Sequence, residues 1–196
     1  MIYLSVLEAF KQLRSGIPAR SRIYVAGCSG EPTALAGALT TEPELANGLT
    51  FLGIWIPGVN SIDWVSFHPN SRSETIFLSA QLRNKFEKQK ARFLPLSYTQ
   101  SWRWLETTQL DAGVVVVSPP TENGFVSLGV SADFSQAVLA RKDVPLMAII
   151  NNAMPAPPNS YTVPLTRFSA IGETDTPLIQ IPPTSLPPAF SGIGRN

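Results

Sequence analysis

Three chemically capable side chains fall within four residues in Cys28-Ser29-Gly30-Glu31, followed by Pro32 and directly preceded by an apolar run ending at Gly27. A thiol or a carboxylate can attack an acyl carbonyl. Glycine lets backbone N–H groups approach an oxyanion, and a helix opening at Pro32 or Thr33 leaves N–H groups for an anion or a thioester oxygen. A second loop, residues 118–129, follows another apolar run and carries Glu122 beside the turn pair Asn123-Gly124. The candidate ligand-contacting residues are Gly27, Ser29, Gly30, Glu31, Pro32, Asn123 and Gly124. The first loop equally fits a plain strand-to-helix turn, with Glu31 where a negative side chain favours the start of a helix.

Neither glutamate is assigned a catalytic role, because catalysis needs a tuned pKa or a positioned electrophile. Cys28 would need a base, and His68 is the single histidine, so a Cys28/His68 dyad competes with a lone cysteine acting as a small buried hydrophobe. One cysteine and one histidine exclude a disulfide framework and a Cys/His zinc site, and no metal is expected. The dense basic run, Arg83, Lys85, Lys88, Lys90 and Arg92, suits phosphates or a nucleic acid, but fits a solvated helix face better, with Arg83 and Glu87 paired one turn apart. Trp102 and Trp104 are two apart, so on a helix they diverge rather than form a stacking platform, and at least one is expected in the core.

Two loops face one ligand when they leave the carboxyl ends of strands in a parallel sheet. The pattern predicts strands at 22–27, 49–54, 92–96 and 145–150, and above all at Ala112–Val117, whose unbroken valines imply burial on both faces. Helices are predicted near the N-terminus up to Gly16, from Pro32 or Thr33 to Leu39, at 81–90, at Tyr98–Thr107, and from a Ser131 or Asp133 cap to about Lys142. Residues 55–78 read as loop with short strands unassigned. From Asn151 onward, proline density favours an extended segment that wraps the sheet or leads out of the domain. The fold class is α/β: an open, mostly parallel sheet with helices on both faces.

With 196 residues and 44% apolar side chains, the chain can bury one core. A net charge of +1 and 15% charged residues give nothing that steers it toward nucleic acid or an anionic membrane. The first residues carry Glu8 and Lys11 and no cleavage pattern, and no apolar run is long enough to span a bilayer. A cytoplasmic location is expected, with no nucleic-acid or membrane partner.

GCSGEPTALAGAL, SPPTENGFVSLGVSADF and NNAMP, in this order, resemble the N-terminal half of the acetyl-CoA hydrolase/transferase family, which includes acetate and 4-hydroxybutyrate CoA-transferases. The resemblance covers nearly the whole chain and implies a family I CoA-transferase-like fold, one of two similar open α/β domains with the active site between them. It implies coenzyme A thioesters as substrates with no permanently bound cofactor, a carboxylic acid as acceptor, and a glutamate of the second domain that becomes a glutamyl-CoA thioester. That glutamate would lie beyond Asn196, so this chain would have no catalytic residue and be inactive alone. Residues 1–172 would be the N-terminal domain and 173–196 a Pro-rich lead toward the C-terminal domain, supplied in cis or in trans, with IGRN resembling the start of the connecting helix. An uncovered cleft wall would also favour a homo-oligomer.

The sequence departs from the family where Met154-Pro155 continues with Ala156-Pro157-Pro158-Asn159 instead of arginine and threonine. It departs again where Ile149-Ile150 is followed by Asn151 instead of an acidic residue. Loss of the arginine fork weakens substrate contact from that loop. The rival reading is a non-catalytic α/β protein that binds a CoA-like ligand or a protein partner.

Overall fold

A computed structural model describes residues 3–131 and 133–181. The chain opens with a two-residue strand β1 (Leu4–Ser5) and helix α1 (Val6–Ser15). The Ser5 hydroxyl accepts the Glu8 N–H, and Val6, Ala9, Phe10 and Leu13 recur on one buried face. Strand β2 (Arg22–Val25) then leads through a short 3-10 turn into α2 (Thr33–Thr41), and β3 (Thr50–Gly53) follows. Pro32 stands just before the first helical residue with φ −79° and ψ 79°, not as that residue. Next come β4 (Arg72–Thr75), α3 (Ala80–Glu87), β5 (Ala91–Phe93), α4 (Tyr98–Thr107) and β6 (Ala112–Val117). The chain continues with β7 (Phe125–Ser127), α5 (Ser135–Leu139), β8 (Leu146–Asn151), β9 (Thr162–Pro164) and β10 (Ala170–Thr174).

Eight strands form one parallel sheet in the order β1-β10-β8-β6-β2-β3-β4-β5, while β7 and β9 pair antiparallel as a separate ribbon. The valine run of β6 shows why both faces must be covered. Val114 and Val116 join Val25, Phe51 and Ile149 on the face packed by Phe10, Leu35, Leu39 and Leu82 of α1, α2 and α3. Val115 and Val117 join Tyr24, Leu52 and Ile150 on the face packed by Leu105, Val138 and Leu139 of α4 and α5. Each valine buried in this way contributes about 2 kcal/mol of transfer free energy.

Five strands, β1, β4, β7, β9 and β10, escape the sequence pattern, and β4 and β10 lie between other strands of the main sheet. β4 reads RSET, and Ser73 and Thr75 are buried small polar residues between β3 and β5. β10 reads AIGET and inserts between β1 and β8, so the proline-rich tail returns to the sheet rather than only wrapping it, and carries it through Thr174. α5 stops at Leu139, short of Lys142, because residues 140–143 turn so that the Arg141 guanidinium reaches the Leu105 and Thr108 carbonyls. Neither Ser131 nor Asp133 occupies the capping position of α5, which is Phe134, although Asp133 Oδ1 accepts the Ser135 N–H at 2.9 Å. Trp102 and Trp104 are both half-buried against the α4 face of the core, whereas Ser101 and Leu105 are the buried positions of that helix. Residues 182–196, including the IGRN helix start and most of the predicted tail, lie outside the described residues.

Candidate functional site

In a parallel sheet all strands end on one edge, and the loops after β2, β3, β6, β8 and β10 share it. The loop after β2 is held in a strained shape. Cys28 has φ 51°, a left-handed conformation that a non-glycine residue adopts at a cost of about 1 kcal/mol or more. Buried Asn60 offsets that cost: its Oδ1 accepts the N–H of Cys28 at 3.1 Å and of Ile56 at 2.7 Å, and its amide donates to the Cys28 carbonyl at 2.8 Å. One side chain thus ties the β3 loop to the β2 loop.

Glu31 does not cap α2. It is 5% exposed, and its Oε1 accepts the Trp64 indole N–H at 3.2 Å. Burial pushes its carboxyl above the ordinary range, opposed by donors from Asn60, Trp64 and the backbone of Ser61 and Ile62. Trp64 in turn stacks on Trp55, with centroids 6.0 Å apart, so Glu31 anchors the aromatic layer beneath the loop. The glycines serve close packing. A Cβ on Gly27 would lie 2.0 Å from the Ile54 carbonyl oxygen, and one on Gly30 would lie 2.5 Å from Ser131 Oγ.

Ser29 donates to the Val130 carbonyl at 2.9 Å, so the β2 loop is joined to residues 130–131 of the long loop after β6. Asn123 and Gly124 stand elsewhere. They form the tip of a hairpin in which Ser118 pairs with Ser127 and Thr121 with Phe125, and the Gly124 carbonyl accepts the Leu165 N–H at 2.8 Å. Leu165 leads toward Arg167, whose guanidinium reaches carbonyls at the opposite edge of the sheet. The structure therefore brings Gly27, Ser29, Gly30, Glu31 and Pro32 together with Val130, Ser131 and Asp133, and leaves Asn123, Gly124 and exposed Glu122 apart.

Two spaces open on this edge. A crevice of about 10 Å³, no more than one water, lies among Ser29, Glu31, Pro32, Asn151 and Met154. It is closed by residues 176–179, where Asn151 Nδ2 donates to the Thr176 carbonyl at 2.9 Å. A cavity of about 280 Å³ is lined by Cys28, Ser29, Ile54, Ile56, Tyr98, Val130, Asp133 and Phe134. Burial, then Asp133 and Glu31, pushes the Cys28 thiol up to about 11, so it stays protonated at neutral pH and is a poor nucleophile. Burial also raises the Asp133 carboxyl, against hydrogen bonds from Ser135 and the Gly27 backbone. Behind it, the buried Tyr24 hydroxyl lies 3.1 Å from Ser135 Oγ.

No dyad forms with His68, which precedes β4 at the other edge, 3.3 Å from Glu44 and accepting the Asn70 N–H. Three members of the basic run contact the protein itself, while Arg83 and Lys88 stand exposed. Lys85 reaches Ser66 and Asp63, rather than an Arg83–Glu87 pair forming, Lys90 reaches the Pro69 carbonyl, and Arg92 lies 3.8 Å from Glu74. Among the described residues no helix is long and apolar enough to cross a membrane.

These features define an α/β domain whose loops converge at the carboxyl edge. The comparisons specify it further: residues 3–165 match the acetyl-CoA hydrolase/transferase N-terminal domain, and the chain belongs to that family. It is 24% identical to the 4-hydroxybutyrate coenzyme A transferase of Clostridium kluyveri over 197 aligned residues, covering all of this chain and 46% of that protein. The chain thus spans about half the length of that relative. RipA from Yersinia pestis shares the fold with a TM-score of 0.78 at 22% identity, covering 95% of this chain and 46% of that one. A chain of a variant of the decarboxylase AibA/AibB matches with a TM-score of 0.62 at 12% identity, covering 88% of this chain and 82% of that one.

Proposed function

We propose that this chain is the N-terminal half of a CoA-transferase or acetyl-CoA hydrolase and supplies one wall of the acyl-CoA cleft. In this reading a glutamate outside the chain attacks the thioester carbonyl and expels the CoA thiolate, leaving an acyl-glutamyl anhydride. The thiolate then attacks the glutamyl carbonyl, releasing the acid and forming glutamyl-CoA, which an acceptor acid or water resolves. Coenzyme A thioesters are substrates and no resident cofactor is needed. The loop of Gly27, Ser29, Gly30, Glu31 and Pro32 shapes the cleft, and the second half binds in cis or in trans in the cytoplasm.

The family match over residues 3–165 carries this reading. The protonated Cys28 thiol, with Glu122 lining neither carboxyl-edge space, supports a reading in which the nucleophile comes from outside the chain. The high coverage of one AibA/AibB chain makes a separate second subunit as natural as a continuous chain. The test is exchange of labelled acetate into acetyl-CoA: none is expected from the 196-residue protein, and exchange should appear when a C-terminal half of the family is added. Exchange by this chain alone would overturn the reading.

A further inference from the structure

The cavity at the carboxyl edge has a lining that goes beyond that of a generic thioester cleft. Its apolar walls are Ile54, Ile56 and Val130, β-branched side chains with few rotamers, and its remaining walls are the rings of Tyr98 and Phe134. Those rings belong to a row. Phe77 lies 6.2 Å from Tyr98, Tyr98 lies 5.8 Å from Phe134, and Phe134 lies 6.4 Å from Trp102, all tilted or edge-on. Tyr98 is 61% exposed and Val130 44%, so two apolar walls stand uncovered at the mouth. The polar groups, Cys28, Ser29 and Asp133, come from the β2 loop and the segment leading into α5.

Size bears on the acyl group. The space of about 280 Å³, open at its mouth, has room for an acyl group well beyond acetyl, such as phenylacetyl. An acetyl group would leave most of the apolar lining against water. The aromatic lining of Tyr98 and Phe134 favours a planar ring over a flexible chain, because a ring meets aromatic neighbours in edge-to-face or offset contact.

We propose that this cavity is an acyl-binding pocket for arylacyl groups, of the phenylacetyl class. The ring packs among Ile54, Ile56, Tyr98 and Phe134, and the thioester carbonyl lies toward Ser29. This assignment rests on the CoA-transferase reading for its biological substrate, but the pocket can be tested without coenzyme A.

The probes are neutral N-acetylcysteamine thioesters carrying acetyl, octanoyl or phenylacetyl groups, titrated into the full chain by calorimetry. The phenylacetyl probe is expected to bind at least about tenfold more tightly than the other two. Tyr98→Ala, at a largely exposed position and checked for an unaltered circular-dichroism melt, should weaken the phenylacetyl probe about three- to tenfold and the octanoyl probe less. Ile56→Trp, checked for an unaltered circular-dichroism melt, should abolish binding by filling the pocket. Equal affinity for acetyl and phenylacetyl probes, preference for octanoyl, or no binding would each overturn the pocket assignment. Phenylacetyl preference without CoA exchange after adding a C-terminal half would keep the pocket and overturn the CoA-transferase reading. Exchange without that preference would do the reverse.

Discussion

The two edges of the sheet treat charge in opposite ways. At the amino edge, helices end and turn their last carbonyls outward, and arginines collect them. Arg14 donates to the carbonyls of Leu45, Ile17, Pro18, Ala19 and Asn47, Arg22 to that of Gln109, and Arg167 to those of Leu139, Arg141 and Val144. A guanidinium suits this work because its forked donors match several acceptors and its charge complements helix C-termini. The groove there, about 710 Å³ and lined by Arg14, Arg20, Arg22 and Arg72, is larger in volume than the carboxyl-edge cavity but is explained by the fold. At the carboxyl edge two carboxyl groups, Glu31 and Asp133, are held where burial favours their protons, beside a strained Cys28 and an open apolar cavity. The difference teaches that cavity size alone does not mark a site. A strained loop beside buried carboxyl groups is what sets the candidate site apart.

The largest effect should come from breaking the amino edge. Arg14→Ala leaves five carbonyls to water or to nothing, and should cost about 3 kcal/mol in urea unfolding, since hydrogen bonds to charged groups are the strong ones. Arylacyl preference at the other edge should be unchanged. A loss below about 1 kcal/mol would mean that solvent replaces the fork, and the contrast between the edges would fail.

Next in size is Asn60→Ala, which frees three backbone groups and removes the clamp that holds Cys28 at φ 51°. A loss of about 2 kcal/mol is expected, confined to the carboxyl edge. Iodoacetamide labelling of Cys28 should accelerate as the loop relaxes and burial of the thiol eases. Unchanged labelling with lowered stability would show that Asn60 supports the β3 loop without setting the shape of the β2 loop.

What the sequence makes legible follows from which residues carry periodic signal. The valines of β6 and Ile149-Ile150 of β8 announce a two-sided parallel sheet, because nothing else buries such a run, and the YTQSWRWLET helix is bounded by its own Ser97 and Gln100 capping box. β4 buries small polar residues and β10 buries Ala170 and Gly172, so neither carries an apolar signal and both stay hidden. The β2 loop is placed correctly at the carboxyl edge by its glycines and Pro32. Asn123-Gly124 looks equivalent in one dimension, yet the β7–β9 ribbon draws it away. Asn60 and Trp64 come from residues 55–78, where polar loop composition conceals two long-range contacts, and Tyr98 and Phe134 meet only after folding. The spacing of Trp102 and Trp104 does exclude a platform from those two alone, but Trp102 joins a ring row through Phe134 that local spacing cannot show.

The smallest effect, and the most specific to the carboxyl edge, is in pH. Because burial raises the Glu31 carboxyl above its ordinary value of 4.5, the folded protein retains a proton that the unfolded chain releases. The stability this contributes is fully present below about 4.5 and is lost as pH rises through the folded value. Asp133 adds a slope of the same sign, starting from its own ordinary value of 3.8. Glu31→Gln should keep the Trp64 hydrogen bond through its amide oxygen and remove one of the two slopes. The variant's urea midpoint should therefore fall less steeply from pH 4.5 upward, by at most roughly 1.4 kcal/mol per pH unit for one group. Asp133→Asn should flatten the remaining part, whereas Asp143→Asn, at the exposed carboxylate held low by Arg141, should act in the opposite sense by removing stability above the usual aspartate range. If Glu31→Gln leaves the wild-type profile intact, Glu31 titrates as a solvated carboxylate, and the carboxyl edge loses the buried charge that separates it from the amino edge.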